Sequence, residues 1–279
     1  MALISEKRKL FHNQLLKRLI TKDKDDIVSI ADSSSVSSKT IASDALKQIG
    51  IVPKSKKIAG QKAGKIFENL CLDFLVDTFL NLQELRPGMF HVHKGSEISN
   101  FTQYQHLHKL SEMASQTPDL ATTIGQDYLI TPDIIVSRSP EFDLNINRLK
   151  EIVDKHSAKL TPLRHSNSEN KLLHATISCK YTIRSDRVQN ARSEALNVIR
   201  NRKGNVPHIS VITSEPLPSR LASIALGTGD IDCVYHAFLP ELLNAVNNVG
   251  SDDSAKMLDT LVEGNRLRDI SDLPLDLAI

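Results

Sequence analysis

Cysteine is scarce in this chain. Cys71, Cys179 and Cys233 are far apart, odd in number and include no C-x-x-C pair. That usage excludes a disulfide framework and a zinc ribbon, and it fits a reducing interior. No run of about 18 apolar residues occurs, so no transmembrane helix is expected. Met1 to Ile20 is charged throughout and lacks the apolar stretch of a secretory signal. The expected location is therefore inside the cell. A strong excess of one charge is missing too: 35 Lys and Arg face 33 Asp and Glu, a net charge of +2. The whole-chain field does not advertise nucleic acid, so any charge that binds it must be local. No internal repeat and no domain linker is evident. The 279 residues, 40% hydrophobic and 24% charged, are long enough to bury a large core. The expectation is a single domain over 1–279, with a helix and a serine-rich loop in about 1–60 leading into a core over about 61–279.

Apolar periodicity places the elements. Leu10, Phe11, Leu15, Leu16 and Leu19 recur at helical spacing over 5–20. Residues 29–40 are serine-rich and read as a loop, either flexible or ordered by DNA, because small hydroxyl residues can approach phosphates and bases closely. Gly60 to Lys65 opens a helix whose stripe is Ile66, Phe67, Leu70, Cys71, Phe74 and Leu75, with Glu68 off that stripe. Its Gly-x-x-x-Gly-Lys start is not a nucleotide loop: the glycine spacing is one short, and Ile66 stands where Ser or Thr should hold magnesium. Residues 86–130 mix polar loop and helix. His91, His93, His106 and His108 have no cysteine cluster or acidic partner at ligand spacing, so they read as surface or hydrogen-bonded histidines.

Leu129 to Val136 reads as a strand with an irregular start at Pro132. Residues 137–170 look like an insertion. Leu172 to Tyr181 alternates clearly, with Leu173, Ala175, Ile177 and Cys179 on one face and His174, Thr176, Ser178 and Lys180 on the other. A helix over 186–203 follows, capped by Ser185 or Asp186 and stopped by Gly204. Strands at 207–213 and 231–238 and helices at about 239–248 and 253–263 complete the pattern. Helices alternating with strands predict an α/β class: a central mixed sheet flanked by helices, an α/β/α sandwich.

The local charge lies in Arg184, Arg187, Arg192, Arg200, Arg202 and Lys203. Such a run is ordinarily a solvated helix face. Here it follows directly on Lys180, with Asp133 on an upstream strand and Glu194 on the helix itself. Carboxylates that hold magnesium beside a lysine are what metal-assisted phosphodiester hydrolysis needs: the metal polarises the phosphate and acidifies a water, and the lysine steadies developing charge. Asp133 is the candidate bridging carboxylate. The broad PD…(D/E)xK nuclease pattern would put an acid at position 178, where this chain has Ser178. Glu194, at the edge of its helix stripe, could fill that place, or it could be a surface partner. Glu68 could be a further acid, or a solvated helix residue.

Arg184, Asp186 and Arg187 match base chemistry in the major groove. Each arginine can take a guanine by O6 and N7, and the aspartate between them can accept from two cytosine N4 groups. That is half of a CCGG palindrome, and a palindrome calls for two such sets about a two-fold axis, hence at least a homodimer. A charge-paired helix terminus is the competing explanation.

Pro132-Asp133-Ile134-Ile135-Val136, Ser178-Cys179-Lys180, the Arg184–Arg187 run and Asn190-Ala191-Arg192-Ser193-Glu194 together resemble the CCGG-family Type II restriction endonucleases of the PD-(D/E)XK superfamily. The likeness extends from Arg86-Pro87-Gly88 through Asn201-Arg202-Lys203-Gly204 and the 223–229 segment to the chain's end. The resemblance implies a restriction endonuclease-like fold. It implies Glu194 as the displaced catalytic acid with Ser178 beside it, Glu68 completing the site, and the Cys179 carbonyl as a metal ligand with Asp133. Two Mg²⁺ ions per site are implied, as is readout of an outer base pair by Asp32, Ser34, Gln61 and Arg220. It further implies a homotetramer, a dimer of dimers, that cuts GCCGGC after the first guanine and leaves four-nucleotide 5′ overhangs with 5′-phosphates. A cognate DNA methyltransferase in the same bacterial cytoplasm is implied too. Two alternatives remain at this point: a repair or recombination nuclease of the same fold reading DNA shape, and a DNA-binding regulator without chemistry.

Overall fold

The computed structural model describes the chain except residues 56, 57, 118, 120, 121, 123–128 and 228, together with the side chains of 185–187. Among the described residues, six strands form one mixed sheet in sequential order: β1 (Phe90–Lys94), β2 (Ile134–Arg138), β3 (Leu172–Lys180), β4 (His208–Thr213), β5 (Cys233–His236) and β6 (Leu267–Asp269). The first three pair antiparallel and the rest parallel. Parallel neighbours need crossover connections, and helices supply them. α6 (Ser185–Arg200) joins β3 to β4, α7 (Pro218–Ala225) joins β4 to β5, and α8 (Leu239–Val249) with α9 (Asp252–Glu263) joins β5 to β6.

The remaining helices are α1 (Leu3–Arg18), α2 (Val36–Ile49), α3 (Gly60–Phe79), α4 (His106–Gln116) and the single turns α5 (Asp143–Ile146) and α10 (Leu273–Asp276). α3 packs on β1 and β3, and α1 packs on α3. The apolar stripe of α3 buries Phe67, Leu70, Cys71, Phe74 and Leu75. Arg8 ties α1 across the fold, with paired hydrogen bonds to Glu241 (2.9 and 2.6 Å) and to Asp269 (2.8 and 2.9 Å). Bidentate guanidinium–carboxylate pairs fix orientation as well as charge. No described helix is long and apolar enough to cross a membrane.

β3 is the spine. Both of its faces are covered, and Thr176 and Ser178 are buried along with the apolar set. Cys179 meets Cys71 of α3 on one face, and burial with that neighbour pushes its thiol well above the usual range. On the other face Thr176 and Ser178 meet Ala191, Glu194, Ala195 and Val198 of α6 around a cavity of about 20 Å³. The alternation expected for 172–181 sorts α3 from α6 from Ala175 to Cys179, but the register breaks at His174, which was expected on the Ser178 face and instead stacks on Phe79 of α3.

Several elements depart from the sequence-based expectation. The segment holding His91 and His93, expected within a mix of polar loop and helix, is the edge strand β1, where only one side of the ladder is paired. His91 Nε2 lies 2.9 Å from Ser139 Oγ, and His93 Nδ1 lies 2.7 Å from the Lys94 carbonyl. The serine-rich segment is not loop throughout. Ser35 accepts from the Ser38 amide at 3.2 Å and starts α2 at Val36, as N-cap serines do. Leu10, placed in the α1 stripe, is exposed. α6 begins at Ser185 with Arg184 in the N-cap position, rather than being capped by Ser185 or Asp186. Arg192, counted with the basic run, turns inward onto Asp230 at 3.2 Å and onto carbonyls at the end of α7.

Candidate active site

Asp133 stands where β2 begins, and two features hold it there. In the antiparallel register Ile134 faces Ile177, so one residue further Asp133 faces Ser178. On the other side the Gly95 amide donates to the Asp133 carbonyl at 3.0 Å, just past the end of β1. This approach requires glycine: a Cβ at position 95 would lie 1.5 Å from the Pro132 carbonyl oxygen. The position was not singled out by sequence reasoning. The signal that existed was a glycine closing an alternating run, but its partner is far along the chain.

Asp133 Oδ2 accepts from the Cys179 amide at 2.7 Å and lies 3.3 Å from Lys180 Nζ. Ser178 Oγ is 3.5 Å from the same oxygen and 3.3 Å from Glu194 Oε2. A hydroxyl has one proton, so Ser178 can serve one carboxylate at a time and links the two. The Asp133 and Lys180 side chains keep 25% and 16% exposure, enough for a ligand to reach them. Asp133, Ser178, Lys180 and Glu194 thus share one hydrogen-bonded cluster, made from the start of β2, the end of β3 and one face of α6. Glu68 on α3 faces it: Asp133, Lys94 and Lys180 all act on its carboxyl.

Burial raises the Glu194 carboxyl above the usual range; Asp133 adds to the shift, and Lys180 and the Ser178 hydrogen bond oppose it. Burial first, then Asp133, also raises Glu68, against Lys94, Lys180 and Lys65. Carboxylates gathered at low exposure repel one another, and a bound cation would relieve that cost. Among the described residues no three His, Cys, Asp or Glu side chains are grouped closely enough to enclose a metal. Magnesium does not need such a cage, since it takes one or two carboxylates and keeps several waters. An all-oxygen set of Asp133, Glu194 and nearby Glu68 fits that hard cation.

The raised Glu194 carries a stability signature. At low pH its carboxyl is protonated in folded and unfolded chains alike. As pH rises, the unfolded chain releases its proton first, so folding stability falls until the folded, raised pKa is passed. Glu194→Gln is therefore expected to melt above wild type at neutral pH without divalent cations. The advantage should shrink as pH falls toward the ordinary glutamate range. The DNA cleavage that the sequence resemblance implies should drop about 10²-fold or more with loss of a metal-holding carboxylate. Melting curves across pH with paired cleavage assays check both, and wild-type cleavage by the variant would remove Glu194 from the site.

A cleft opens just past the end of β3. Residues 29–33, the start of α3 at Gly60 and Ala63, Tyr181, Thr182, Arg184 and Arg220 enclose about 360 Å³. A neighbouring depression of about 690 Å³ adds Gln189, Ser219 and Ser223 to Asp32, Arg184 and Arg220. Asp32 accepts from the Ser34 amide (3.0 Å) and hydroxyl (2.6 Å) and pairs with Arg220. The Ser34 hydroxyl first, and Arg220 with it, holds its carboxyl well below the usual range. Arg184 is exposed at the cleft, and Gln61 is exposed one residue past Gly60. Asp186 and Arg187 lie in the first turn of α6, but their side chains are outside the described residues. Asp32, Arg184 and Arg220, far apart in sequence, are thus brought to one opening.

The model of the NgoMIV restriction enzyme family matches residues 11–279. The chain is 46% identical over 283 aligned residues to the Type II restriction enzyme NgoMIV of Neisseria gonorrhoeae, a match spanning 99% of this chain and 99% of that protein. Among solved structures, the complex of restriction endonuclease PspGI with substrate DNA is similar at 16% identity and a TM-score of 0.26, over 99% of this chain and 90% of that one. With the family model matching nearly the whole length and a full-length relative at 46% identity, the chain belongs to the NgoMIV restriction enzyme family.

Proposed function

We propose that this member of a Type II restriction endonuclease family cuts double-stranded DNA at GCCGGC after the first guanine, leaving four-nucleotide 5′ overhangs with 5′-phosphates. The observation that carries the reading is the single segment Ser178 to Arg187. It runs from a carboxylate–serine–lysine cluster at the end of β3 into the arginine-bearing start of α6. Only Tyr181, Thr182 and Ile183 separate Lys180 from Arg184. Cutting and reading groups are therefore rigidly linked, and a misread base displaces the cluster from its phosphate.

The roles are those the family resemblance implies, and the placement of Asp133, Ser178, Lys180 and Glu194 in one cluster supports them. Asp133 and Glu194 would hold Mg²⁺, two ions per site, with the Cys179 carbonyl as a further ligand and Glu68 completing the acidic wall. Bound magnesium supplies Lewis-acid polarisation of the scissile phosphate and acidifies the attacking water. Lys180 places its ammonium beside Asp133, where it orients the water and balances charge growing on the phosphate. Ser178 keeps Glu194 turned toward Asp133. In-line attack with inversion at phosphorus follows from water and leaving oxygen lying on opposite sides of the phosphorus. Arg184 and Arg187 take the two guanines of one CCGG half-site and Asp186 the two cytosines. Asp32, Ser34, Gln61 and Arg220 face the outer pair. The palindrome requires at least a dimer, and the assembly we propose is a homotetramer of two such dimers. Host DNA in the bacterial cytoplasm then needs a methyltransferase of the same specificity, which need not touch this chain.

The test is direct. The purified chain is incubated with sequenced plasmid DNA and Mg²⁺, and the ends are mapped. Cuts confined to GCCGGC with 5′ overhangs support the proposal. Cuts at branched DNA would instead mark a repair or recombination nuclease, and intact DNA a binding protein without chemistry.

A further inference from the structure

Glu215 is the most completely buried carboxylate in the cleft region, with no exposure, and the chemistry described so far does not use it. It follows β4 by two residues, beside the end of β3 where Lys180 pairs with Thr213. Both carboxylate oxygens are committed. Oε2 accepts from the Ile183 amide at 2.9 Å, and Oε1 accepts from the Leu217 amide at 3.2 Å. Oε2 also lies 3.8 Å from Arg220 Nη1. Its own amide donates to Thr213 Oγ1 at 3.2 Å, and its carbonyl lies 3.1 Å from His236 Nε2.

These contacts reach two elements. Ile183 is the residue before Arg184, so Glu215 grips the connector between the cutting strand and the reading helix. Leu217 is the N-cap residue of α7, whose first turn carries Arg220. One buried anion therefore sets the entry of α7 and stands next to the guanidinium it presents. Arg220 meanwhile has a second partner, Asp32, on the N-terminal segment. Both members of that pair face the cleft. A base taken by either would compete with their mutual contact, whereas Glu215 is sealed beneath with its Oε2 3.8 Å from Arg220. A buried carboxylate is expensive unless hydrogen-bonded and paired, and the commitment of both Glu215 oxygens to the Ile183 and Leu217 amides points to a geometric duty.

We propose that Glu215 is a positioning residue for outer base-pair specificity: it holds Arg220 and the Ile183–Arg184 connector in one frame, so that outer and inner base readout are in register. This rests on the reading of Arg220 as an outer-pair contact. Glutamine at 215 offers one acceptor oxygen and turns its NH₂ against an amide donor, so it cannot satisfy Ile183 and Leu217 together.

The experiment compares full-length wild type with Glu215→Gln and Glu215→Asp in Mg²⁺, using duplexes with the cognate site, an altered outer pair, or an altered inner pair. In the glutamine variant the cognate-to-altered-outer cleavage ratio is expected to fall at least tenfold, and the inner-pair ratio to fall by a smaller factor through the loosened Ile183–Arg184 connector. The aspartate variant, charged but shorter, should lose outer discrimination by a smaller factor of at least threefold, and it decides the matter should the glutamine variant fold poorly. Loss of stability alone lowers all rates together and leaves both ratios unchanged, which would overturn the proposal. Amide hydrogen exchange on DNA-free protein supplies a readout independent of the recognition site. Ile183 should exchange at least tenfold faster in Glu215→Gln, with α9 amides unchanged. Unchanged Ile183 exchange would overturn the positioning role, whatever sequence the enzyme cuts. Failure of the wild type to discriminate at the outer pair would instead count against the reading of Arg220.

Discussion

Replacing Lys180 with alanine is expected to lower cleavage of the target site by about 10³-fold while leaving site affinity within a few-fold of wild type. The ammonium sits 3.3 Å from Asp133 Oδ2 at 16% side-chain exposure and acts on the Glu68 and Glu194 carboxyl groups as well. Electrostatic groups aimed at charge that grows only in the transition state contribute to rate more than to ground-state binding, and removing one typically costs about 10²–10³ in rate. At this site the lysine also offsets Glu68 and Glu194, both of which it acts on. Its loss should therefore raise both carboxyl groups further and move the lower pH limit of activity upward. Single-turnover cleavage with protein in excess measures the first effect, and equilibrium binding to a duplex carrying the site measures the second. Cleavage near the wild-type rate would show that Lys180 is not in the reacting site. Equal loss of binding and cleavage would make it a DNA-holding residue only.

The second large effect is expected from a residue with no polar side chain. Gly95→Ala should reduce cleavage about 10²-fold and lower the melting temperature by a few degrees. The added Cβ would meet the Pro132 carbonyl oxygen at 1.5 Å and its carbon at 2.7 Å, and both are backbone atoms that no rotamer change can move aside. Either the end of β1 retreats, breaking the Gly95 amide bond to the Asp133 carbonyl, or Pro132 and Asp133 shift. Overpacking of this kind typically costs about 1–3 kcal/mol. For a domain of this size that is a shift of a few degrees. A displacement on the order of 1 Å at a reacting carboxylate can cost about 10²-fold in rate. Melting and cleavage of the same preparation test it, and a variant matching wild type in both would refute the close approach of β1 to Asp133.

Some of this was legible from local pattern. The alternation in 172–181 separates Cys179 from Ser178 and Lys180, and the structure places Cys71 and Glu194 on those opposite faces. The helix after Arg184 and its apolar stripe were readable because the 3.6-residue period lies within one element. The edge strand at His91 and His93 was not. A short strand with one paired side has weak periodicity, and its polar residues imitate a loop. The start of α2 was hidden for a similar reason, because serines serve loops and helix caps alike.

The sequence by itself determined the α/β class, the strand face that bears Ser178 and Lys180, and the covalent tether from Lys180 to Arg184. All are set by neighbours within a few residues. Only the tertiary structure decided which acids stand beside Asp133, that Gly95 must lack a side chain, that Arg192 faces inward, and that Glu215 lies under Arg220. Those outcomes depend on strand register and on how helices pack across the sheet. Asp32 meets Arg220 from 188 positions away. No local period encodes such a meeting, because it exists only once the shared core has fixed both backbones.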